Sequence, residues 1–539
     1  MPATNLEMGD SLGVFDYVII GGGSAGCVLA NRLSKNPNNR VCLLEAGAQN
    51  ETPLVTVPLG LSVSMQNQKR NWSFRTTRQS ELNNRRGHQP RGRGLGGSSA
   101  VNAMIYIRGL RTDYDRWAEA GATGWSWREV APYFLKSENN ERGASDHHGA
   151  DGLLHVSDSR AKNPLSDRFI EAARQLQLPI NDDFNGDTLE GVGYYQVTQK
   201  SGRRCSAASA FLKPAQRRAN LTVITGAHAQ RIHFSDGRAN SVSYLRDARG
   251  EAVIAQREVL LCAGAFQSPQ LLMLSGIGPA PALRQHGIDV VANSPNVGEN
   301  LQDHLDYSVI MRTRSPYSLG YNLSTYLRFG PALINYALFG RGFLTSNLAE
   351  CGGFLKTEAQ ESEPDIQFHY IPGLVDNHGN RTHKFAGVTL HVCVLRPKSR
   401  GRVSIASKNA NDAPVIDPNF LSHPDDLSRL MKGARVAERL CAAPALAEVC
   451  GEPLYAPLNA DDATLEADIR ARADTIYHPV GTCRMGSDET AVLDPALRVR
   501  GVAGLRVVDA SVMPTLISGN TNAPAMMIAE KAADLILAE

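Results

Sequence analysis

The 539-residue chain has no apolar run approaching the ~18–20 residues that a membrane-spanning helix requires, so a helical integral membrane protein is excluded. It also has no charge excess. Fifty-six Lys and Arg against 54 Asp and Glu leave a formal +2, which argues against non-specific nucleic-acid binding, because that needs a clustered basic surplus to release counterions. The nine cysteines are odd in number and none forms a C-x-x-C pair. Cys27, Cys42, Cys262 and Cys393 stand inside apolar runs and read as small core residues, which suits a reducing compartment. The first 14 residues carry Glu7 and Asp10 but no basic residue, unlike a secretory signal, so the cytoplasm is expected. The glycosylation-type triplets at Asn50, Asn71, Asn220, Asn322 and Asn380 are then fortuitous. No repeat or low-complexity linker is present.

What is present is an ordinary globular balance, 42% hydrophobic and 20% charged, enough for one large multi-lobed domain or a few small ones. The 48 glycines gather where the backbone turns tightly or approaches something closely. An apolar run from Phe15 to Ile20 reads as a buried strand; a glycine turn follows, then a helical pattern (Cys27, Val28, Leu29, Leu33), then a strand from Val41 to Glu45. This is a βαβ unit. Further strands are expected at 221–225, 258–262, 388–394, 403–405 and 505–508, and helices at 425–441, 464–472 and 524–537. The expected fold is α/β with an α+β second lobe. A Rossmann-like lobe is built from 15–155, 216–308 and 466–539, and a discontinuous second lobe, a sheet with helices, from 156–215 and 309–465.

Gly21, Gly23 and Gly26 form G-x-G-x-x-G between strand and helix, and Glu45 ends the next strand. Gly21 permits the tight turn, Gly23 lets a pyrophosphate reach the backbone, and Gly26 lets helix and sheet pack closely. The helix N-terminus attracts phosphate, while the Glu45 carboxylate accepts ribose hydroxyls and repels a 2′-phosphate. Gly22 to Gly26 also satisfies G-x-S-x-G, the nucleophile elbow, with Ser24 as a hydrolase nucleophile. That elbow normally follows several strands and leaves Glu45 unexplained. His147 and His148 are adjacent, and consecutive residues rarely converge on one ion, so the pair reads as ordinary loop histidines and no metal is expected.

Four further segments carry a resemblance. Gly92 to Tyr106 (GRGLGGSSAVNAMIY) resembles the first signature of the glucose–methanol–choline (GMC) oxidoreductases, and Gly264 to Gly278 (GAFQSPQLLMLSGIG) their second. Val297 to His304 (VGENLQDH) and Tyr477 to Gly486 (YHPVGTCRMG) are similar in kind and order, and the resemblance runs from Phe15 to about Leu537. It implies FAD in an extended conformation. Gly21, Gly23, Ser24, Ala25, Gly26, Glu45 and Ala46 would hold the ADP half, and Ala229 would meet adenine. Arg93, Gly97, Ser98, Asn102, Ala103 and Met104 belong to the loop against the isoalloxazine, with Asp509 and Ala510 near the ribityl and pyrophosphate. Some members tether FAD through a His just before the Asn of the first signature. Val101 stands there, so noncovalent FAD is expected.

For alcohol oxidation the resemblance implies His478 as base and Asn522 as its partner toward flavin N5. An imidazole suits the proton transfer, and an amide can donate to the substrate oxygen. Asn522 also reads as the N-cap of the 524–537 helix. His369, Glu350 and Tyr106 are substrate-side candidates, and Trp72 joins Tyr106 and Glu350 as a conceivable cage for choline. The resemblance is nearest to bacterial alkanol and polyethylene glycol dehydrogenases, with choline dehydrogenases next. It implies a primary aliphatic or polyether alcohol and a quinone or dye-type acceptor, with an oxygen-using oxidase as the alternative. The segment 329–339, flanked by Arg328 and Arg341, reads either as a buried lobe-interface helix, the commoner case, or as a peripheral contact with the inner face of the cytoplasmic membrane. Nothing in the sequence specifies an oligomeric state.

Overall fold

The computed structural model describes residues 13–320 and 323–539. Asn322 and most of the acidic N-terminal stretch therefore lie outside the described residues.

The run Val14–Ile20 is apolar on both faces, and such a strand must be covered on both sides. It pairs in parallel with Val41–Glu45 on one side and with the C-terminal half of Arg249–Leu261 on the other. Leu221–Thr225 and Leu505–Val507 extend the parallel array at its two flanks. The N-terminal half of Arg249–Leu261 pairs antiparallel with Arg238–Arg246, which pairs with His228–Ser235. This meander was read in the sequence only at its last strand. The Ser24–Leu33 helix and the C-terminal helix Asn522–Leu537 pack beside this sheet, clamped by a bidentate pair between Arg32 and Glu530 at 2.6 and 2.7 Å. Because the strands are parallel, Ile20, Glu45 and Leu261 all end at one edge, where ligands bind in open α/β sheets.

The second lobe is built on an antiparallel sheet in the order 450–453, 305–313, 387–394, 366–371, 351–355 and 191–194. Its side chains alternate with period two. Tyr307, Phe368, Tyr370, Leu390 and Val392 face the core made with helices Pro164–Gln175 and Pro424–Ala442. Asp306, Ser308, His369 and His391 take the opposite face and line the cavity between the lobes. The lobe borders expected at 308/309 and 465/466 fall inside the strand Leu305–Thr313 and the helix Asp462–Arg472. Leu305, Leu465 and Ile469 pack in the second-lobe core, so both elements belong there whole.

Two surface expectations change. The 329–339 segment lies in a helix, Leu323–Phe339, that is not buried between the lobes. Leu333, Ile334, Leu338 and Phe339 are 52–69% exposed, because their apolar side chains turn outward rather than onto the sheet. His148 is not a bland loop residue either: its Nε2 is 2.7 Å from Asp183 and its Nδ1 3.1 Å from Glu138, and these carboxylates hold the imidazole at about 9 against its burial. All nine cysteines are free, with Cys27, Cys42, Cys262 and Cys393 buried. Asn50 and Asn71 are buried too. Among the described residues no helix is long and apolar enough to cross a membrane, and no group of three or more His, Cys, Asp or Glu is arranged to hold a metal.

The backbone approach at Gly26 is very tight: a Cβ there would stand 1.9 Å from the Gly21 carbonyl oxygen. A Gly26→Ala variant must push the opening helix off the sheet, with an expected loss of about 1–3 kcal/mol. Urea unfolding midpoints of the two proteins check this, and equal midpoints would contradict the packing described.

Candidate active site

A cavity of about 1190 Å³ runs from the carboxyl edge of the first sheet to the alternating face of the second. Gly21, at φ +103°, makes the turn into it, and a Cβ there would lie 2.5 Å from the Cys262 carbonyl oxygen. Above Gly23 the nearest atom to an added Cβ is 4.0 Å away, so the backbone faces open space. Gly23 caps the Ser24–Leu33 helix without any side-chain acceptor, and the free N–H groups of that first turn point at the cavity. This is a cradle for a phosphate oxygen.

Glu45 accepts three backbone N–H bonds, from Gly22 at 2.9 Å, Gly47 at 2.7 Å and Gly94 at 2.9 Å. Burial pushes its pKa up and these donors pull it down. A carboxylate offers about four lone-pair sites, so capacity remains for a ribose hydroxyl. Asp509 is held by Gly264 N–H at 2.8 Å, Ser268 Oγ at 2.5 Å and Ser511 N–H at 2.8 Å. Ser24, Ala25, Ala46, Gly97, Ser98, Asn102, Ala103, Met104, Ala229 and Ala510 also line the cavity. Gly26 lies beneath the turn, and Arg93 is placed over the Trp72 ring at 4.6 Å without lining the cavity, so its role in cofactor contact is not supported by its position. The open glycine backbone, uncapped helix start and carboxylates fit a dinucleotide.

At the other end His478 is 8% exposed and lines the cavity. Burial first, then the nearby His304, His369 and Arg91, hold its pKa well below the usual imidazole range, so it is neutral. Its Nδ1 is 3.0 Å from His304 Nδ1, its Nε2 is 3.1 Å from Asn520 Nδ2, and its backbone N–H donates to Asp303 Oδ1 at 2.8 Å. Tyr477 and Met104 take left-handed φ of 76° and 61° beside the cavity, conformations that large side chains adopt only when their surroundings enforce them.

The expected partner, Asn522, is not on His478. It is the first residue of the C-terminal helix, whose N-cap is Thr521, and its Oδ1 accepts from Ser24 Oγ at 2.8 Å. Asn520, two residues earlier in the loop, supplies the amide. Helix geometry turns Asn522 back toward the opening helix, and both asparagines stand in one quoted motif, so only the helix boundary separates them. The same bond gives the Ser24 hydroxyl an amide oxygen rather than an imidazole, so no nucleophile elbow is assembled there. His369 lines the cavity with neither ring nitrogen partnered. Tyr106 and Glu350 do not line it. Tyr106 accepts from Arg108 Nε at 3.3 Å in the core, and Glu350 ties Asn163 N–H, Ser166 and Ser346 together at 2.6–3.0 Å. Asp303 and His304 are the other functional neighbours that sequence reasoning passed over, although both lie in the quoted 297–304 motif.

A dinucleotide crevice sharing one cavity with a buried neutral imidazole is the layout of an oxidoreductase. Family models described as GMC oxidoreductase match residues 15–306 and 397–529. An alcohol dehydrogenase [acceptor] of Pseudomonas putida is 48% identical over 528 residues, 97% of this chain and 96% of its own length. The mitochondrial choline dehydrogenase of Homo sapiens is 41% identical, covering 97% and 89%. Among solved structures, pyridoxine 4-oxidase from Mesorbium loti aligns with TM-score 0.88 at 31% identity over 96% and 98% of the two chains. An Aspergillus oryzae formate oxidase variant aligns with TM-score 0.91 at 26% over 98% and 99%. The chain belongs to the GMC oxidoreductase family.

His369 gives a pH dependence. Burial pushes its imidazole down to about 3 from 6.5, so the unfolded chain binds its proton first as pH falls. Its contribution to stability is therefore complete above pH 6.5 and is lost progressively toward 3. His369→Gln removes the titration, and its unfolding midpoint should fall less than that of the parent protein between pH 7 and about 4.5. Parallel slopes in urea titrations would contradict this.

Proposed function

We propose that the protein is an FAD-dependent alcohol dehydrogenase that oxidises a primary aliphatic or polyether alcohol to the aldehyde and passes electrons to a quinone-type acceptor. The observation that carries this is the neutral His478, bonded to Asn520, at the end of the cavity that begins in the glycine crevice. The crevice would hold FAD through Gly21 to Ala25, Glu45, Ala229 and Asp509, noncovalently, since Val101 stands at the tether position. When bound, FAD supplies the hydride acceptor.

The remaining work belongs to the chain. His478 Nε2 takes the hydroxyl proton, and being neutral it has room for it. The Asn520 amide donates to the alcohol oxygen and fixes its direction. Burial of His478, 8% exposed, keeps water from competing for its ring. An aliphatic substrate is favoured over choline because Met104, Ile105, Leu319, Phe343, Leu348 and Ile371 line the cavity, whereas two of the three residues imagined for a cationic cage, Tyr106 and Glu350, do not. The 48% relative is consistent with alcohol oxidation through an acceptor.

An anaerobic visible spectrum before and after 1-octanol tests this. Flavin bands should bleach, and no flavin bands after reconstitution with FAD would overturn the reading. His478→Ala should lose about 10²–10⁴ in rate with flavin retained. Asn520→Ala should lose about 10²–10³.

A quinone acceptor calls for a peripheral membrane position, and the exposed face of Leu323–Phe339 suits it. It presents Leu333, Ile334, Leu338 and Phe339, contains no acidic residue, is flanked by Arg341, and Phe329 also lines the cavity mouth. Such an amphipathic surface buries apolar groups at the headgroup boundary and favours anionic lipid. The protein should float with phosphatidylglycerol vesicles, and Leu338→Asp with Phe339→Asp should abolish flotation while dye-linked activity persists. Equal flotation of parent and variant would remove the contact.

A further inference from the structure

His304 has no assigned part in the reaction, yet it lies directly behind the base. Its ring is fully buried and perpendicular to that of His478, with centroids 5.2 Å apart. Three contacts form one line. The Leu395 carbonyl oxygen is 2.9 Å from His304 Nε2, His304 Nδ1 is 3.0 Å from His478 Nδ1, and His478 Nε2 is 3.1 Å from Asn520 Nδ2.

Each link needs one hydrogen, and the first can be assigned without choice. A carbonyl oxygen only accepts, so His304 Nε2 carries a hydrogen. Burial pushes the His304 imidazole down to about 4, although the Leu395 and Ile517 carbonyls pull it up, so it is neutral and carries one hydrogen, which the 2.9 Å contact with Leu395 places on Nε2. Its Nδ1 is then a lone pair, and the hydrogen between the two rings must come from His478 Nδ1. Neutral His478 has no second hydrogen to place. Its Nε2 is therefore a lone pair, facing the Asn520 amide donor and the cavity. The other end agrees: Gln367 Nε2 donates to Asn520 Oδ1 at 3.1 Å, which turns the Asn520 NH₂ toward His478.

We propose that His304 is a positioning residue that fixes His478 in the tautomer with the hydrogen on Nδ1, so that Nε2 is free to accept the substrate hydroxyl proton. The opposite tautomer sets two lone pairs against each other at 3.0 Å and leaves Nε2 able only to donate. The arrangement also survives the reaction. When Nε2 gains the proton, Nδ1 keeps its own hydrogen bonded to His304, which stays neutral, and no second transfer is needed. The neighbouring Asp303 holds the main chain of the same residue, so adjacent side chains of one motif position the backbone and the ring of His478. The inference rests on the reading of His478 as the base.

The test begins with the holoenzyme, reconstituted with FAD and labelled with ¹⁵N-histidine, His478 being assigned by loss of its signals in His478→Gln. A protonated Nδ1 and a pyridine-type Nε2 are expected, and a hydrogen on Nε2 would overturn the proposal. His304→Leu should lower kcat about 10–10²-fold with KM and flavin content unchanged, as for loss of an orienting partner. His304→Gln offers an amide oxygen to His478 and an NH₂ to Leu395, and should recover most of that loss. Unchanged kcat in His304→Leu would also overturn the proposal, and should that variant not fold, the tautomer measured in the parent protein decides. Full activity in His478→Ala, with the expected tautomer in the parent, would instead defeat the base assignment alone.

Discussion

An imidazole taken out of water without an opposing carboxylate on its ring has to be neutral, and much of the site follows from that constraint on His478. Neutrality makes it an acceptor, and its two nitrogens then need unlike neighbours. The chain provides them from three distant places: the 297–304 motif behind, the loop before the C-terminal helix in front, and the carbonyl of Leu395 at the end of the line. His369, also buried and neutral, faces the same cavity, so cationic imidazoles are kept out of its centre.

The two lobes meet this need in different ways. The parallel sheet brings strand ends and the uncapped start of the Ser24–Leu33 helix to one edge, which is a surface for phosphate. The antiparallel sheet alternates, so that one face packs on helices while the other places polar side chains above the reacting centre. Polar groups there are costly unless paired, and Asp306 with His391 at 2.6 Å on the sheet and Asp376 with His383 at 2.7 Å in the connection between strands 366–371 and 387–394 meet the cost locally. The small sheet in which Phe74–Gln79 and Arg85–Gln89 join 402–404 and 415–417 ties the lobes together.

The glycine crevice was legible because its causes are local. A turn at positive φ, a close helix–strand contact and an acid at the end of the next strand all lie within 14–45. The same holds for the strands 41–45 and 221–225, which appear where the apolar run of the first and the β-branched run of the second stand. Legibility ends where a residue's direction depends on an element boundary or on a distant partner. Asn520 and Asn522 have the same chemistry and stand in one motif. Tyr106 and Glu350 have plausible chemistry but point into packing that the sequence does not display.

By itself, then, the chain's sequence determined the class of the fold, the dinucleotide crevice, the family likeness and the identity of the buried histidine, since each is written in short-range pattern or in motif order. Tertiary structure alone decided which asparagine meets His478, which ring nitrogen carries its hydrogen, and that the Leu323–Phe339 helix faces outward. The physical reason is common to all three. Hydrogen bonds and burial are relations between atoms far apart in the chain, 42 and 174 residues for the two ring contacts of His478, and an apolar helix or an asparagine carries no local mark of what it will face.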